Sequence, residues 1–168
     1  EQVEEIIGSK TEQLKKLAKQ VGAPEALFFI GRNTDYAIAL EGSLKLKEIS
    51  YVHSEAYAAG ELKHGTIALI EPGRTVVALA CCDRLFDKLM SNIREVRARG
   101  AHIIGCATEG STAIENEADE VIRIPKIHPL LTPCLEVVPF QIFAYYVALY
   151  KGCDIDKPRN LAKSVTVE

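Results

Sequence analysis

The sequence predicts an α/β fold, a three-layer α/β/α sandwich around a parallel sheet of four to five strands. Four short apolar runs have the length and composition of buried strands. Segments of ten or more residues with helical periodicity separate most of these runs, which is the pattern of βαβ units. The length of 168 residues corresponds to one domain. A domain of this size buries about 70% of its unfolded surface, so it requires no disulfide or structural metal.

The elements of the first half follow from hydrophobic periodicity and from the residues that interrupt it. In chain order they are helices at 3–7 and 11–21, a buried strand at 26–30, a loop at 31–35, a helix at 35–52, and a short helix with a loop at 55–65. Gly8 predicts the end of the first helix, and Gly22 with Pro24 predicts the end of the second. The strand at 26–30 contains only apolar side chains, as expected for burial on both faces.

The second half continues the alternation of strands and helices. In order, the predicted elements are a strand at 75–80, a helix at 85–99, strands at 102–106 and 121–124, and a helix at 135–151. Gly100 closes the first of these helices, while Pro139 lies in the first turns of the second. Ligands of doubly wound sheets bind beyond the carboxyl ends of strands, so the loops after residues 30 and 80 are expected at that edge.

These elements divide a single domain into three parts. The parts are N-terminal helices at 1–24, an α/β core at 25–153, and a C-terminal tail at 154–168 without clear periodicity. The chain begins at Glu1 in what reads as the middle of a helix, so we expect a fragment of a longer protein.

Charge and hydropathy argue against several classes of function. A formal net charge of −3 and a pI of about 5.9 disfavour nucleic acid or an anionic membrane as the main partner. No apolar run approaches the ~20 residues of a membrane span, so we expect no membrane insertion. The five cysteines form no C-x-x-C pair, and the four histidines are scattered. We therefore expect reduced thiols in a cytoplasmic protein, with no metal site and no cofactor.

The helix at 35–52 contains the most informative pattern. On a helical wheel, Glu41, Lys45 and Glu48 fall within a stripe of about 60°. The residues that border this stripe are all aliphatic: Ile38 and Ile49 on one side, Leu40 and Leu44 on the other. One hypothesis is a half-buried site in which a carboxylate moves a proton at neutral pH. The alternative is a salt-bridge ladder on a surface helix.

Two further residues are candidates for proton transfer. His64 lies between glycines in a polar loop, where a histidine is either a plain surface residue or a proton carrier at a ligand. Lys163 lies in the tail, for which a frayed terminus is the default interpretation. If the tail docks instead, the Lys163 amine can act near a site as a nucleophile or proton donor.

Three motifs identify a resemblance that covers essentially the whole chain. They are ALEGSLKLKEISY at 39–51, HSEAYAAGELKHG at 53–65 and DKPRNLAKSVTVE at 156–168. Together they resemble the glucosamine-6-phosphate synthase family, in particular the second of two sugar-isomerase (SIS) subdomains in its C-terminal, isomerase half. The resemblance implies a flavodoxin-like SIS fold and an enzyme that converts fructose 6-phosphate and glutamine into glucosamine 6-phosphate and glutamate.

The resemblance also implies roles for individual residues. Glu48 matches the carboxylate that transfers a proton between C1 and C2 of the sugar. His64 matches a histidine of sugar ring opening, which the family delivers across a dimer interface. Lys163 matches a lysine near the open-chain carbonyl, with a Schiff-base or proton-transfer role. The residues that the resemblance places against the substrate are Glu41, Lys45 and Ala162.

The partners implied by the resemblance are the rest of an enzyme chain and a second subunit. A glutaminase domain releases ammonia, and a first SIS subdomain grips the sugar phosphate, so we expect the isolated chain to be weakly active or inactive. The helix at 135–151 is apolar on nearly all sides, so one face requires a partner, for which a homodimer is expected.

Two alternative functions share the expected fold. A sugar-phosphate isomerase or deaminase of the SIS superfamily would need no ammonia, and the motif at 160–164 argues against it. A non-catalytic sugar-phosphate-binding module of a transcription regulator would carry a helix-turn-helix and a basic face, and the sequence shows neither.

Overall fold

The computed structural model describes residues 1–22 and 24–159. Within these residues, four α-helices and five β-strands alternate along the chain. The helices are α1 (Gln2–Val21), α2 (Thr34–Ser50), α3 (Phe86–Arg97) and α4 (Thr132–Tyr150). The strands are β1 (Ala26–Gly31), β2 (His53–Ala58), β3 (Thr75–Ala80), β4 (His102–Thr108) and β5 (Glu120–Ile124).

The five strands form one parallel sheet in the order β2-β1-β3-β4-β5. This is the strand order of flavodoxin-like doubly wound folds, and it confirms the predicted fold class. The chain leaves β1 toward one side of the sheet and leaves β3 toward the other. The loops at 31–35 and 81–83 both lie at the carboxyl edge of the sheet, as predicted. They diverge there, so the topological switch point lies between them.

Helices cover both faces of the sheet and form two separate cores. Because side chains alternate along a strand, Leu27 and Phe29 of β1 pack with α1, α2 and α4, while Phe28 and Ile30 pack with α3. The sheet is thus the middle layer of a three-layer sandwich, and α2 lies in the same outer layer as α1 and α4.

Five strands lie within the predicted range of four to five, but the position of the fifth was not predicted. The sequence predicts a short helix and a loop at 55–65, and this prediction is wrong for residues 55–58, which belong to β2. Only Ala59–His64 is helical, as a 3-10 turn. β2 pairs with β1 along its whole length at the edge of the sheet. Most of its residues are only half-buried. Half-buried positions accept polar side chains, so β2 lacks the continuous apolar run that identifies a buried strand.

The predicted break between two N-terminal helices is also wrong, because α1 continues through Gly8. Gly8 costs a helix about 1 kcal/mol relative to alanine, whereas burying Ile6 and Leu14 contributes about 1.5–3 kcal/mol each. The sequence also predicts Thr11 as the N-cap of the second helix, and this is wrong too, since the Thr11 hydroxyl donates to the carbonyl of Ile7 inside α1. Packing of the apolar face therefore outweighs the local stop signal.

The helix α4 begins three residues before the predicted start, so Pro139 lies inside the helix rather than in its first turns. By length and composition alone, α4 could cross a membrane, contrary to the expectation that no segment approaches a span. It packs as a core helix: 56% of the stretch is buried, and the ring of Phe140 contacts the ring of Phe29 edge-on at 5.8 Å.

Candidate functional site

Three charged side chains form a network on α2. Lys45 Nζ lies 2.7 Å from Glu48 Oε2, within hydrogen-bond distance, and 3.5 Å from Glu41 Oε1. Glu48 is the least exposed of the three at 28%, and Glu41 is the most exposed at 39%. The structure therefore brings together the three residues of the predicted stripe. Glu48 is held more tightly than Glu41, because its contact with the ammonium is a charge-assisted hydrogen bond.

The protonation of Lys45 supports this arrangement. The hydrogen bond to Glu48 raises the pKa of Lys45, the charges of Glu41 and Glu48 add to this effect, and partial burial opposes it. Lys45 is consequently an ammonium at neutral pH. A fixed ammonium donates to one oxygen of the Glu48 carboxylate and leaves the other oxygen able to accept a proton.

The aliphatic residues beside the network differ in exposure. Ile38 and Ile49 are half-buried and pack against the core, whereas Leu40 and Leu44 are 47% and 42% exposed. One border of the stripe is therefore part of the domain core, and the other is apolar surface.

Glu48 lies at the end of α2 that is remote from the carboxyl edge of the sheet. The helix starts directly after β1 and runs back, so its last turn reaches the start of β2. An open groove of about 520 Å³ occurs at this point, which is within the usual size range of small-molecule sites. Its lining residues are Leu44, Lys47, Glu48, Tyr51, Val52, His53 and Arg159. We call this space the Glu48 groove.

The chain that follows α4 returns to the Glu48 groove. Gly152 adopts a φ of 68°, which turns the chain back at the end of α4. The thiol of Cys153 then donates to the carbonyl of Ser50, with an S···O distance of 3.8 Å. Finally, the backbone N–H of Arg159 donates to the hydroxyl of Tyr51 at 2.8 Å, and the Arg159 guanidinium lies 4.1 Å from the centre of the Tyr51 ring.

His64 is not brought to Glu48 within one copy of the chain. It ends the 3-10 turn Ala59–His64, which follows the carboxyl end of β2, whereas Glu48 precedes the amino end of the same strand. A strand of six residues is about 20 Å long, so the two side chains lie at opposite edges of the sheet. His64 is exposed, and the buried side chain of Leu62 anchors its turn.

The predicted residues Ala162 and Lys163 lie outside the described residues. The last described residue is Arg159, which lines the Glu48 groove. Four residues of chain span at most about 14 Å. Covalent geometry therefore allows Lys163 to reach the groove.

At the carboxyl edge, Asp35 occupies the usual position of an anionic ligand. Its Oδ2 accepts hydrogen bonds from the backbone N–H groups of Cys81 and Cys82, both at 3.0 Å. In doubly wound folds, backbone N–H groups at the switch point are available to anionic ligands. A phosphate would have to displace the Asp35 carboxylate from these groups, so this edge is a poor phosphate site.

A second buried carboxyl lies near Asp35, and sequence reasoning missed both. Burial raises the pKa of Asp35 to about 6, against the lowering effect of its two backbone hydrogen bonds. Burial and the nearby Asp35 charge raise the pKa of Glu136 well above its usual range. Two signals could have identified them: Asp35 follows a buried strand at the switch point, and Glu136 is the one charged residue in the apolar sequence of α4.

Acid/base chemistry is the chemistry that the Glu48 groove offers. In the part of the chain that the structure describes, no group of three or more His, Cys, Asp or Glu side chains could hold a metal ion. Lys47 and Arg159 supply positive charge to the groove, and Glu48 supplies a proton acceptor. These groups suit a small anionic or hydroxylated ligand.

Comparison with known proteins agrees with this architecture. A family model described as the SIS domain matches residues 23–151. The chain belongs to the SIS domain family. This membership confirms the predicted SIS fold, and the SIS match includes α2 with the Glu41–Lys45–Glu48 network and the turn that carries His64.

Similar proteins carry a consistent name. The chain is 60% identical over 157 residues to glutamine–fructose-6-phosphate aminotransferase (isomerizing) of Clostridium tetani, covering 94% of this chain. It is 55% identical over all 168 residues to the protein of that name from Clostridium acetobutylicum. The chain spans only 26% and 28% of the length of these two relatives.

A solved structure gives the same result. The C-terminal domain of glucosamine-fructose-6-phosphate aminotransferase from Francisella tularensis superposes with a TM-score of 0.81 and 37% identity. The match covers 88% of this chain and 42% of that one. Together, these similarities confirm the resemblance identified from the motifs at 39–51, 53–65 and 156–168.

Proposed function

We propose that this chain is the C-terminal SIS subdomain of a glutamine–fructose-6-phosphate aminotransferase and carries the acid/base part of its reaction. The complete enzyme would combine fructose 6-phosphate with ammonia from glutamine and release glucosamine 6-phosphate. Identity of 55–60% along nearly the whole chain to relatives of that name supports the proposal. A first SIS subdomain and a glutaminase domain would come from the rest of a longer chain.

The observation that carries the catalytic assignment is the 2.7 Å contact between Lys45 and Glu48 beside an open groove. In the proposed step, the Glu48 carboxylate takes the proton from C1 of the open-chain sugar and returns it to C2. Ammonia has by then condensed with the C2 carbonyl, with loss of water, so the C2=N double bond becomes C2–NH2 while the C1–OH group becomes the C1 carbonyl. The C1 hydroxyl proton passes to the nitrogen, so the step needs no external oxidant or reductant. A positioned acid/base group of this kind contributes about 10²–10⁴-fold to a rate.

The remaining site residues extend the proposal. Glu41 orients Lys45 from its other side, and Lys163 and Ala162 contact the sugar from the C-terminal tail. The Lys163 amine would lie near the open-chain carbonyl. A cytoplasmic location is also proposed, supported by the five unpaired cysteines.

A homodimer is part of the proposed active state. In one copy, His64 and Glu48 lie at opposite edges of the sheet, so a site that uses both residues requires His64 from a second copy. The exposed Leu40 and Leu44 beside the network supply apolar surface for such an interface. His64 would then assist sugar ring opening at the partner's Glu48 groove.

Mixing two inactive variants tests this arrangement. The enzyme with Glu48→Gln and the enzyme with His64→Asn are each expected to be inactive. If His64 acts across the interface, each mixed dimer contains one intact site, so random assortment of subunits restores about a quarter of the wild-type activity. If both residues act within one subunit, every site in the mixture remains defective and no activity returns.

The control is a mixture of Glu48→Gln with Lys45→Met, because both residues belong to the same α2 network and both variants are expected to lose activity. Each mixed dimer then contains one site with the Glu48 change and one with the Lys45 change, so mixing creates no intact site. If this control mixture is more active than its two parent variants, the gain in activity does not come from a shared site. A gain that occurs only when Glu48→Gln is mixed with His64→Asn supports the proposed dimer.

A further inference from the structure

Tyr51 holds an unusual position at the end of α2. It follows the last helical residue with a φ of 58°, a left-handed conformation that is uncommon for residues other than glycine. It is absent from both hydrophobic cores of the described residues, so core packing does not explain the choice of a tyrosine. Its ring and its hydroxyl both contact Arg159.

Each half of this contact constrains a different part of Arg159. The ring face attracts the guanidinium, which fixes the side chain. The hydroxyl accepts from the backbone N–H, which fixes the main chain itself. Tyr51 therefore holds both the side chain and the main chain of Arg159, whereas a side-chain contact alone would leave the main chain free.

A second contact, six residues earlier, brings the same segment to the same helix end. Cys153 donates to the carbonyl of Ser50, the last residue of α2. Between the two contacts, the backbone N–H of Lys157 donates to Oδ1 of Asp154 at 2.9 Å, which closes a turn. The segment at 153–159 is thus attached to the final turn of α2, the turn that also carries Glu48.

We propose that Tyr51 is a positioning residue that fixes Arg159 at the rim of the Glu48 groove. The inference rests on the proposed function, in which Lys163 supplies an amine beside Glu48. Since Lys163 follows Arg159 by four residues, holding Arg159 at the groove keeps Lys163 within about 14 Å of chain from it.

Trypsin measures the contact directly, because the protease must bind the Arg159 side chain to cut after it. In the wild type, the exposed Arg159 side chain stacks on Tyr51 and must leave the ring before the protease can bind it. Lys157 offers no competing site, because proline follows it. With Tyr51→Leu, which removes both ring and hydroxyl, cleavage after Arg159 is expected to accelerate about tenfold. Tyr51→Phe keeps the ring but lacks the hydroxyl, so its rate of cleavage after Arg159 should lie between the rates of the wild type and Tyr51→Leu. The rate is followed by mass spectrometry as loss of residues 160–168.

The matched control is Tyr145→Leu, which changes an exposed tyrosine on α4. It should leave cleavage after Arg159 unchanged. If Tyr51→Leu prevents folding, seen as cleavage throughout the chain, Arg159→Lys tests the contact from the other side. Lysine remains a trypsin site but lacks the planar group that stacks on the ring. Unchanged cleavage in the folded Tyr51 and Arg159 variants would overturn the proposal.

Kinetics of the complete enzyme then test the positioning role. Tyr51→Leu should lower kcat at least tenfold while KM for fructose 6-phosphate stays within twofold, and Tyr51→Phe should recover part of the loss. Faster tryptic cleavage with an unchanged kcat would overturn the positioning role. Failure of the proposed function is a separate result, because it would appear as an active Glu48→Gln enzyme.

Discussion

The buried carboxyl of Asp35 makes the stability of this domain depend on pH. The side chain is 2% exposed, and burial raises its pKa from an ordinary 3.8 to about 6. Between pH 3.8 and about pH 6, the folded state binds more protons than the unfolded state, so the free energy of unfolding falls as pH rises. Each pH unit is worth about 1.4 kcal/mol, so ionising Asp35 costs the folded state about 3 kcal/mol.

Replacing Asp35 with asparagine removes this dependence but keeps an oxygen for the N–H groups of Cys81 and Cys82. At pH 4.5 we expect Asp35→Asn to be more stable than the wild type by only about 1 kcal/mol, because Asp35 of the folded state is still largely protonated while Asp35 of the unfolded chain has begun to ionise. By pH 7.5 the variant should be the more stable by roughly 2–3 kcal/mol. The nearby Glu136 should increase this difference in stability, since the Asp35 charge helps to raise the pKa of Glu136.

Urea unfolding followed by far-UV circular dichroism from pH 4.5 to 7.5 measures this difference. Asp87→Asn is the matched control, because Asp87 is exposed in the first turn of α3. Its stability curve should run parallel to that of the wild type. A parallel curve for Asp35→Asn as well would refute the argument that desolvation of Asp35 controls the pH dependence.

Three further predictions concern packing and the charged network. Gly42→Ala should destabilise the domain by about 1–3 kcal/mol, because its Cβ would lie 3.0 Å from the ring of Phe29. Gly8→Ala should stabilise it by about 0.5–1 kcal/mol, since open space surrounds Gly8 in α1. A urea midpoint that rises for Gly42→Ala would contradict the first prediction, and one that falls for Gly8→Ala would contradict the second. In the complete enzyme, Lys45→Met should lower kcat at least tenfold by releasing Glu48, and Lys45→Arg should restore part of it; equal rates for the two would contradict the role of the ammonium.

The sequence was sufficient to predict the elements whose burial is nearly complete. β1 and β3 were found because every residue in them except Ala26 is buried. The network on α2 was found because helical spacing alone places Glu41, Lys45 and Glu48 on one face. Both signals are local, so no knowledge of the tertiary structure was needed.

What the sequence did not predict depends on contacts between distant segments. β2 becomes a strand through pairing with β1, and Gly8 remains helical through packing of α1 on α4. The hydrogen bonds of Asp35 join residues 46 and 47 positions apart. The Tyr51–Arg159 contact joins residues 108 positions apart. No local pattern encodes these pairings, because each requires the completed sheet and helix layers to exist first.

Isotope exchange tests most directly whether Glu48 transfers the proton. In deuterated water, the complete wild-type enzyme should incorporate deuterium at C1 or C2 of the hexose phosphate, because the carboxyl exchanges its proton with solvent. Glu48→Gln should lower this incorporation by about 10²–10⁴-fold while sugar phosphate still binds, and Glu41→Gln should lower it far less. Undiminished incorporation in a folded Glu48→Gln enzyme would contradict the account.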